Sequence, residues 1–247
     1  MCIRDRPLPK IATPTYELIL PSNKKKVTYR PFLVKEEKIL ILAMESGNSD
    51  EITRAVKTVL KDCIMTRGVK IESLPSFDIE YLFLNIRAKS VGEAVELLVT
   101  CPDDGVTQVD LTVDIREIQV KFPEEHSSEI KVDDNIIVKM KYPSLQEFID
   151  NNFNFDASDS KETIDRSFEI IASCIDMVYT KEESWSASDV TKKELTSWLE
   201  TFDSNQFKGI ETFFNTMPKL SHTVTVTNPV TGKDNEIVLE GLSSFFG

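Results

Sequence analysis

The chain has 247 residues, of which 40% are hydrophobic and 28% are charged. This composition is ordinary for a globular protein with a sizeable core, and it excludes a chain that is disordered throughout. The formal net charge of -12 repels phosphate backbones, so we expect no nucleic-acid partner. No apolar run approaches the roughly 18 residues that a bilayer span requires, so we expect no membrane partner either.

Residues 1–6 read as the translation of a sequencing-library adapter. We therefore expect a sequencing artefact or a disordered tail there, and the fold is argued without these residues.

Residues 7–92 are predicted to form a β-hairpin followed by helices. Apolar residues alternate on both sides of a Pro-Ser-Asn turn within residues 15–30, which is typical of a hairpin. Helices are expected over about residues 35–45, after a cap at Asn48 or Ser49, and after Pro75. Their inward faces are predicted to carry Ile39, Leu42 and Ala43 in the first helix, Ile52, Val56, Val59, Leu60 and Cys63 in the second, and Phe77, Tyr81, Leu82, Leu84 and Ile86 in the third.

Residues 93–143 are predicted to be rich in β-strands, because the apolar period changes from 3.6 to 2. The alternating residues are Val95, Leu97 and Val99, then Val109, Leu111, Val113 and Ile115, then Ile136, Val138 and Met140.

Residues 144–218 are predicted to be helical again. A long stripe there consists of Ile164, Phe168, Ile171, Ile175 and Val178. Thr191 and Glu194 then form a capping-box pattern that starts a helix. That helix and the next are expected to bury Leu195, Trp198, Leu199, Phe202, Phe207, Ile210, Phe214 and Met217. Residues 219–247 are expected to form a C-terminal hairpin and an aromatic tail.

Two segments share the pattern T-x-P-x-x-G, at residues 100–105 and 227–232. Zinc knuckles place two thiolates three positions apart in such a turn. Here Cys101 is the lone remaining thiol, and Asp104, Asn228 and Thr231 occupy the other three positions. The four cysteines, Cys2, Cys63, Cys101 and Cys174, include no C-x-x-C pair, so no disulfide framework is indicated.

The repeat predicts a pair of zinc-ribbon-like hairpins without a complete metal site, although two ordinary hairpins remain an alternative. If the hairpins pair, residues 93–115 and 220–240 form one small antiparallel sheet, with the helices of residues 161–217 inserted between its halves. The expected fold class is therefore α+β: an N-terminal hairpin, a helical cluster, this small sheet and a C-terminal helical insertion.

The sequence gives no specific support for an enzyme, and we expect no catalytic residues, no metal and no cofactor. The metalloprotease, nucleophile-elbow and P-loop motifs are absent, and both histidines, His126 and His222, are expected to be ordinary exposed side chains. Residues 150–161 partly match a calcium loop, but Phe155 replaces its glycine and Lys161 its final glutamate, so a polar loop is favoured.

Partner-binding residues are expected in two places. Basic and aromatic side chains cluster just after the first hairpin, at Tyr29, Arg30, Phe32 and Lys35. An ordinary strand-to-helix junction is the alternative interpretation of this cluster. The second place is the tail, where Phe245 and Phe246 are expected to dock on the body or on a partner.

Four stretches resemble the baseplate hub subunit family of T-even-type phages: residues 29–38 (YRPFLVKEEK), 74–93 (LPSFDIEYLFLNIRAKSVGE), 217–220 (MPKL) and 240–242 (EGL). The resemblance begins at about residue 8, and residues 74–93 are its most specific part. Other members show fuller C-x-x-C knuckles, and this chain departs from that pattern.

The resemblance implies a non-enzymatic structural subunit of the baseplate central hub, in the tail of a contractile-tailed phage virion. The implied partners are other hub proteins and the tape-measure protein. Some members of the family look more like assembly chaperones that act in the host cytoplasm and leave before the virion is finished, and this alternative stays open. An enzyme of unknown type is a distant third hypothesis.

Overall fold

A computed structural model describes residues 11–145 and 160–241, and the α+β class is confirmed there. The helices are α1 Val34–Ser46, α2 Ser49–Cys63, α3 Ser76–Val91, α4 Ser160–Ser173, α5 Lys192–Leu199 and α6 Ser204–Thr216. The strands are β1 Tyr16–Ile19, β2 Lys26–Tyr29, β3 Ala94–Thr100, β4 Gln108–Asp114, β5 Gln119–Lys121, β6 Glu129–Lys131, β7 Ile137–Met140, β8 Ile175–Tyr179, β9 Ser184–Ser186, β10 Lys219–Thr227 and β11 Asp234–Glu240.

Within the described residues the strands form four small sheets, and every strand pairing there is antiparallel. Two sheets are the simple hairpins β1-β2 and β3-β4. The third has the order β11-β10-β5, and the fourth has the order β6-β7-β8-β9.

The described chain contains two hydrophobic cores. The first joins α1, α2 and α3 with the hairpins β1-β2, β3-β4 and β10-β11. The second joins the four-stranded sheet with α4, α5 and α6. Along the chain the second core lies between β5 and β10, which pair directly through Leu220 and Val120. The second core is thus inserted into the first, and the insertion includes β6 and β7 as well as helices. The domain boundaries proposed from the sequence stay predictions.

Local signals account for several of these elements. The Asn48 side chain caps α2 by accepting from the backbone N–H groups of Asp50 and Glu51. The predicted capping box is present, with Thr191 accepting from the backbone N–H of Glu194. Helix α3 buries ten of its 16 residues, which confirms that it is central.

The predicted long stripe of residues 164–178 is wrong in its second half, because Ile175 and Val178 lie in β8. The pairing of β8 with β7 shifts register, so that Met140 faces Ile175 and Lys139 faces Met177. Asp176 is therefore an extra residue in a β-bulge. The bulge brings Ile175 and Val178 to one face despite their spacing of three, which imitates a helical period.

The predicted inward face of α1 is also wrong in part. Ala43 is buried, but Leu42 is 55% exposed and Ile39 is 39% exposed. Glu36 lies inward instead, fully buried. Apolar residues lie on both the exposed and the buried sides of this helix, so periodicity could not identify its inward face.

Residues 93–115 and 220–240 do not form the single sheet that was expected if the two hairpins paired. Strand β10 has β11 on one side and β5 on the other, and β3-β4 is a separate sheet. The two hairpins meet through the side chains of their turns.

Candidate functional site

The two T-x-P-x-x-G turns share one backbone hydrogen bond and a left-handed glycine, and they face each other. In the first turn, the Gly105 N–H donates to the Cys101 carbonyl at 2.9 Å. In the second, the Gly232 N–H donates to the Asn228 carbonyl at 2.8 Å. Both glycines are left-handed, with φ of 67° and 71°, which only glycine adopts without strain. The sequence repeat therefore corresponds to a repeated structure, which we name the knuckle pair (residues 100–107 and 227–235).

Hydrogen bonds between side chains join the knuckle pair. The Asn228 Nδ2 donates to Asp103 Oδ1 at 2.8 Å and to Asp104 Oδ2 at 3.0 Å. The Thr231 hydroxyl donates to the second oxygen of Asp103. In return, the Asp103 backbone N–H donates to Asn235 Oδ1 at 3.0 Å. A polar network thus lies where a zinc ribbon would hold its metal.

The electrostatics of the knuckle pair favour charged carboxylates and a neutral thiol. The Thr107 hydroxyl, backbone N–H groups and Asn228 lower the pKa of Asp104. Thr231 and Asn228 lower the pKa of Asp103. Burial, and the charges of these two aspartates, raise the pKa of Cys101. A thiol that resists ionisation is a poor metal ligand. In the part of the chain that the structure describes, no three His, Cys, Asp or Glu residues are placed to hold a metal ion.

The residues predicted after the first hairpin converge on a buried carboxylate. Glu36 accepts from Arg30 Nη2 at 2.8 Å, from Lys35 Nζ at 3.0 Å and from the Leu33 backbone N–H at 2.8 Å. Burial raises the pKa of Glu36, but these hydrogen bonds outweigh it and lower the pKa to about 2. Tyr29 is only 2% exposed. This arrangement fixes the start of α1 against the first hairpin.

Phe32, the remaining member of that cluster, packs partly buried against the first core. Its backbone N–H donates to Ser90 Oγ on α3 at 2.9 Å. Phe245 and Phe246 lie outside the described residues. Partner binding through these positions stays a prediction.

Both histidines differ from the expectation of exposed side chains. His126 is half-buried and lies 3.0 Å from Thr216 Oγ1 and 3.1 Å from Tyr142 Oη. Its ring contacts Tyr142 and Phe213, and Tyr142 contacts Phe77 of α3. This aromatic cluster joins the two cores. The error came from the polar sequence around His126, which gave no sign of distant aromatic neighbours.

His222 has a side chain that is only 16% exposed, and its Nε2 lies 3.9 Å from Glu117. It occupies strand β10 where that strand pairs with β11. Its burial follows from this position in the sheet.

The structure also shows an apolar pocket that sequence reasoning missed. It has a volume of about 370 Å³ and lies between the four-stranded sheet and α5. Both tryptophans of the chain line it, Trp185 from β9 and Trp198 from α5. The other lining residues are Ile136, Val178, Thr180, Val190, Glu194 and Leu195. In the sequence, both tryptophans lie within 14 residues of each other, which could have indicated a shared site. The pocket was missed because this region was predicted to be helical.

A family model described as T4 bacteriophage base plate protein matches residues 13–247. The chain belongs to this family, which confirms the resemblance to a phage baseplate protein. No curated protein and no solved structure matches the chain.

Membership of this family gives the chain a structural role in the phage tail baseplate, and therefore a place in the virion tail among other baseplate proteins. None of the helices within residues 11–145 and 160–241 is both long and apolar enough to cross a membrane.

Proposed function

We propose that the chain is a non-enzymatic structural subunit of the baseplate central hub in a contractile tail, and that it acts in tail assembly by binding other hub proteins and the tape-measure protein. The family match over residues 13–247 supports this proposal. The pocket lined by Trp185 and Trp198 is the observation that supports a specific binding site for one of these partners.

The pocket has the properties of an anchor site for a partner side chain. Trp185 is 42% exposed although it is large and apolar. Trp198 is held edge-on against Phe202, with ring centroids 4.7 Å apart. Buried tryptophans at the centre of an interface contribute a disproportionate share of binding energy. An apolar partner side chain that fills this pocket would cover both indoles.

The charge of the chain adds a second, weaker contribution. With a net charge of -12, it would attract a basic partner and guide its orientation. Such an attraction is screened by salt. We therefore expect association to weaken, without disappearing, as salt increases.

The test is co-expression with the hub and tape-measure proteins encoded nearby, followed by size-exclusion chromatography at low and high salt. Trp185→Ala should lose a partner that the unaltered chain retains. Leu98→Ala is the matched control, because Leu98 is an exposed apolar residue on a strand of the first core, 60% exposed. Elution without any of these proteins under all conditions would contradict the hub assignment. Retention of the partner by Trp185→Ala would contradict the pocket as its site.

An assembly chaperone or catalyst that leaves the particle would use the same kind of surface. Mass spectrometry of purified virions separates the two roles. A hub subunit is recovered in stoichiometric amount with the baseplate, whereas a chaperone is recovered only from infected-cell extracts.

A further inference from the structure

Helix α1 presents an apolar surface to solvent. Val34 is 79% exposed, Leu42 is 55% exposed, and Ile41 and Met44 are each about half exposed, at 51% and 52%. Val91, at the end of the neighbouring helix α3, is 63% exposed. We name these five residues the α1 face.

The α1 face continues into a groove formed by α1, α2 and α3. Ile41 and Met44 line one side of the groove, and Phe83, Arg87 and Val91 line the other. Its volume is about 280 Å³. Large apolar side chains that stay exposed beside such a groove are typical of a surface that a partner covers, so the groove and the exposed residues together indicate a missing neighbour.

We infer that this neighbour is a second copy of the chain, with the two α1 helices packed antiparallel about a twofold axis. The first argument is charge. Val34, Lys38, Ile41 and Glu45 are spaced by four, three and four residues, so they share one strip of the helix surface. The strip is positive toward its beginning and negative at its end. Antiparallel pairing therefore brings Lys38 of each copy toward Glu45 of the other, which makes the surface self-complementary.

The position of Glu45 supports the same orientation. It lies in the last turn of α1, a turn that contains no basic residue. A negative charge at the C-terminal end of a helix is unfavourable, but beside the N-terminal end of another helix it is favourable. In the antiparallel arrangement Glu45 stays in its own last turn but gains Lys38 of the other copy as a favourable neighbour.

The second argument is area. A stable interface buries about 800 Å² per partner, and five apolar side chains that are each at least half exposed would supply its apolar centre.

The test is sedimentation equilibrium of the purified full chain over a wide range of concentrations. The unaltered chain should be a dimer that dissociates on dilution. Val34→Glu and Leu42→Glu should each shift the protein to monomer. Val106→Glu is the matched control, since Val106 is 80% exposed, like Val34, but lies in the first knuckle. That variant should remain a dimer, and circular dichroism should show that all three variants are folded.

A charge exchange tests the orientation. Lys38→Glu and Glu45→Lys should each weaken the dimer roughly tenfold, because each disrupts two symmetric ion pairs. The double variant should recover the original dissociation constant. Recovery is specific to self-association, because the two residues are two helical turns apart within one chain.

Three outcomes would overturn the inference: a monomeric unaltered chain at the highest attainable concentration, equal dissociation of Val106→Glu and Val34→Glu, or failure of the double exchange to recover binding. These results concern self-association only. The hub proposal is tested by binding to other proteins, so the two can fail separately.

Discussion

The Nδ2 atom of Asn228 lies 3.0 Å from Oδ2 of Asp104, a residue 124 positions earlier in the chain. The same amide group donates to Asp103 at 2.8 Å, while its oxygen accepts from the backbone N–H groups of Val230 and Thr231. Asn228 is fully buried. One neutral side chain therefore satisfies both turns of the knuckle pair, at a position where a zinc ribbon carries a cysteine.

Asn228→Ala should destabilise the protein by about 2 kcal/mol, because it leaves buried or partly buried polar groups without their partners. The measurement is urea unfolding at neutral pH. Asn23→Ala is the control, since the exposed Asn23 side chain accepts a single backbone hydrogen bond, from Lys25. Its cost should be well under half that of Asn228→Ala. Equal costs would mean that the network across the knuckle pair contributes nothing of its own.

The facing turns also predict that a metal site can be restored. The triple variant Asp104→Cys, Asn228→Cys, Thr231→Cys places four thiols, with Cys101, at the spacing of a zinc ribbon. Added Co²⁺ should produce the intense thiolate-to-cobalt absorption of a tetrahedral site, and Zn²⁺ should displace it. Metal binding should also raise the unfolding temperature, because the unfolded chain offers no preformed site.

The control for the restored site is the same triple variant with Cys101→Ser added. Removing one of four thiolates should reduce the metal affinity strongly. If the two proteins bind cobalt equally, Cys101 does not point into the space between the turns.

Patterns carried by neighbouring residues predicted much of this fold. The cap at Asn48 and the capping box of Thr191 and Glu194 depend on residues within one helical turn, so the sequence displays them directly. The stripe of α2 was read correctly because its buried and exposed faces differ strongly in polarity. The T-x-P-x-x-G repeat also identified three of the residues that meet across the knuckle pair, Asp104, Asn228 and Thr231, but not Asp103, which accepts from two of the side chains.

The errors arose where the decisive information is not local. Ile175 and Val178 fall on one face only because the strand opposite forces a bulge at Asp176, and nothing near them in sequence reports that strand. His126 contacts side chains from two distant segments, Tyr142 and the pair Phe213 and Thr216 on α6. Helix α1 exposes apolar Leu42 and buries charged Glu36, so a pattern based on polarity cannot separate its two faces.

His126 should make folding stability depend on pH below neutrality. The Thr216 hydroxyl donates to the Thr212 carbonyl at 2.7 Å, so it accepts from His126 Nδ1–H, and His126 Nε2 accepts from the Tyr142 hydroxyl. Protonation would place a second N–H against that hydroxyl. Burial lowers the pKa of His126, so the unfolded chain takes up a proton before the folded chain does. The free energy that neutral His126 contributes to folding is therefore present above about pH 6.5 and is lost as pH falls below that value.

The measurement is the unfolding temperature of the unaltered chain and of His126→Gln at several pH values from 7.5 to 5.5. Glutamine keeps one donor and one acceptor but cannot be protonated. The difference in unfolding temperature between the unaltered chain and His126→Gln should become smaller as pH falls. A difference that is constant across this range would show that His126 titrates alike in the folded and unfolded states.

Glu80 should produce the opposite dependence on pH. This residue lies on α3 and is 9% exposed, and burial raises the pKa of its carboxyl to about 8, despite an opposing contribution from Lys219. The folded protein therefore retains a proton that the unfolded chain has released. Stability from this group is complete below about pH 4.3, the usual glutamate pKa, and is lost as pH rises toward 8.

Glu80→Gln keeps the shape of the protonated side chain and removes this loss. Relative to the unaltered chain, it should gain stability steadily between pH 5 and pH 8, reaching at least about 2 kcal/mol by urea unfolding. Glu96→Gln, at an exposed position on β3, controls for the change in net charge. A Glu80→Gln difference that does not grow with pH, or that Glu96→Gln reproduces, would show that the buried carboxyl is ionised in the folded protein. In that case Lys219, the cation opposing the effect of burial, would be the residue to substitute next.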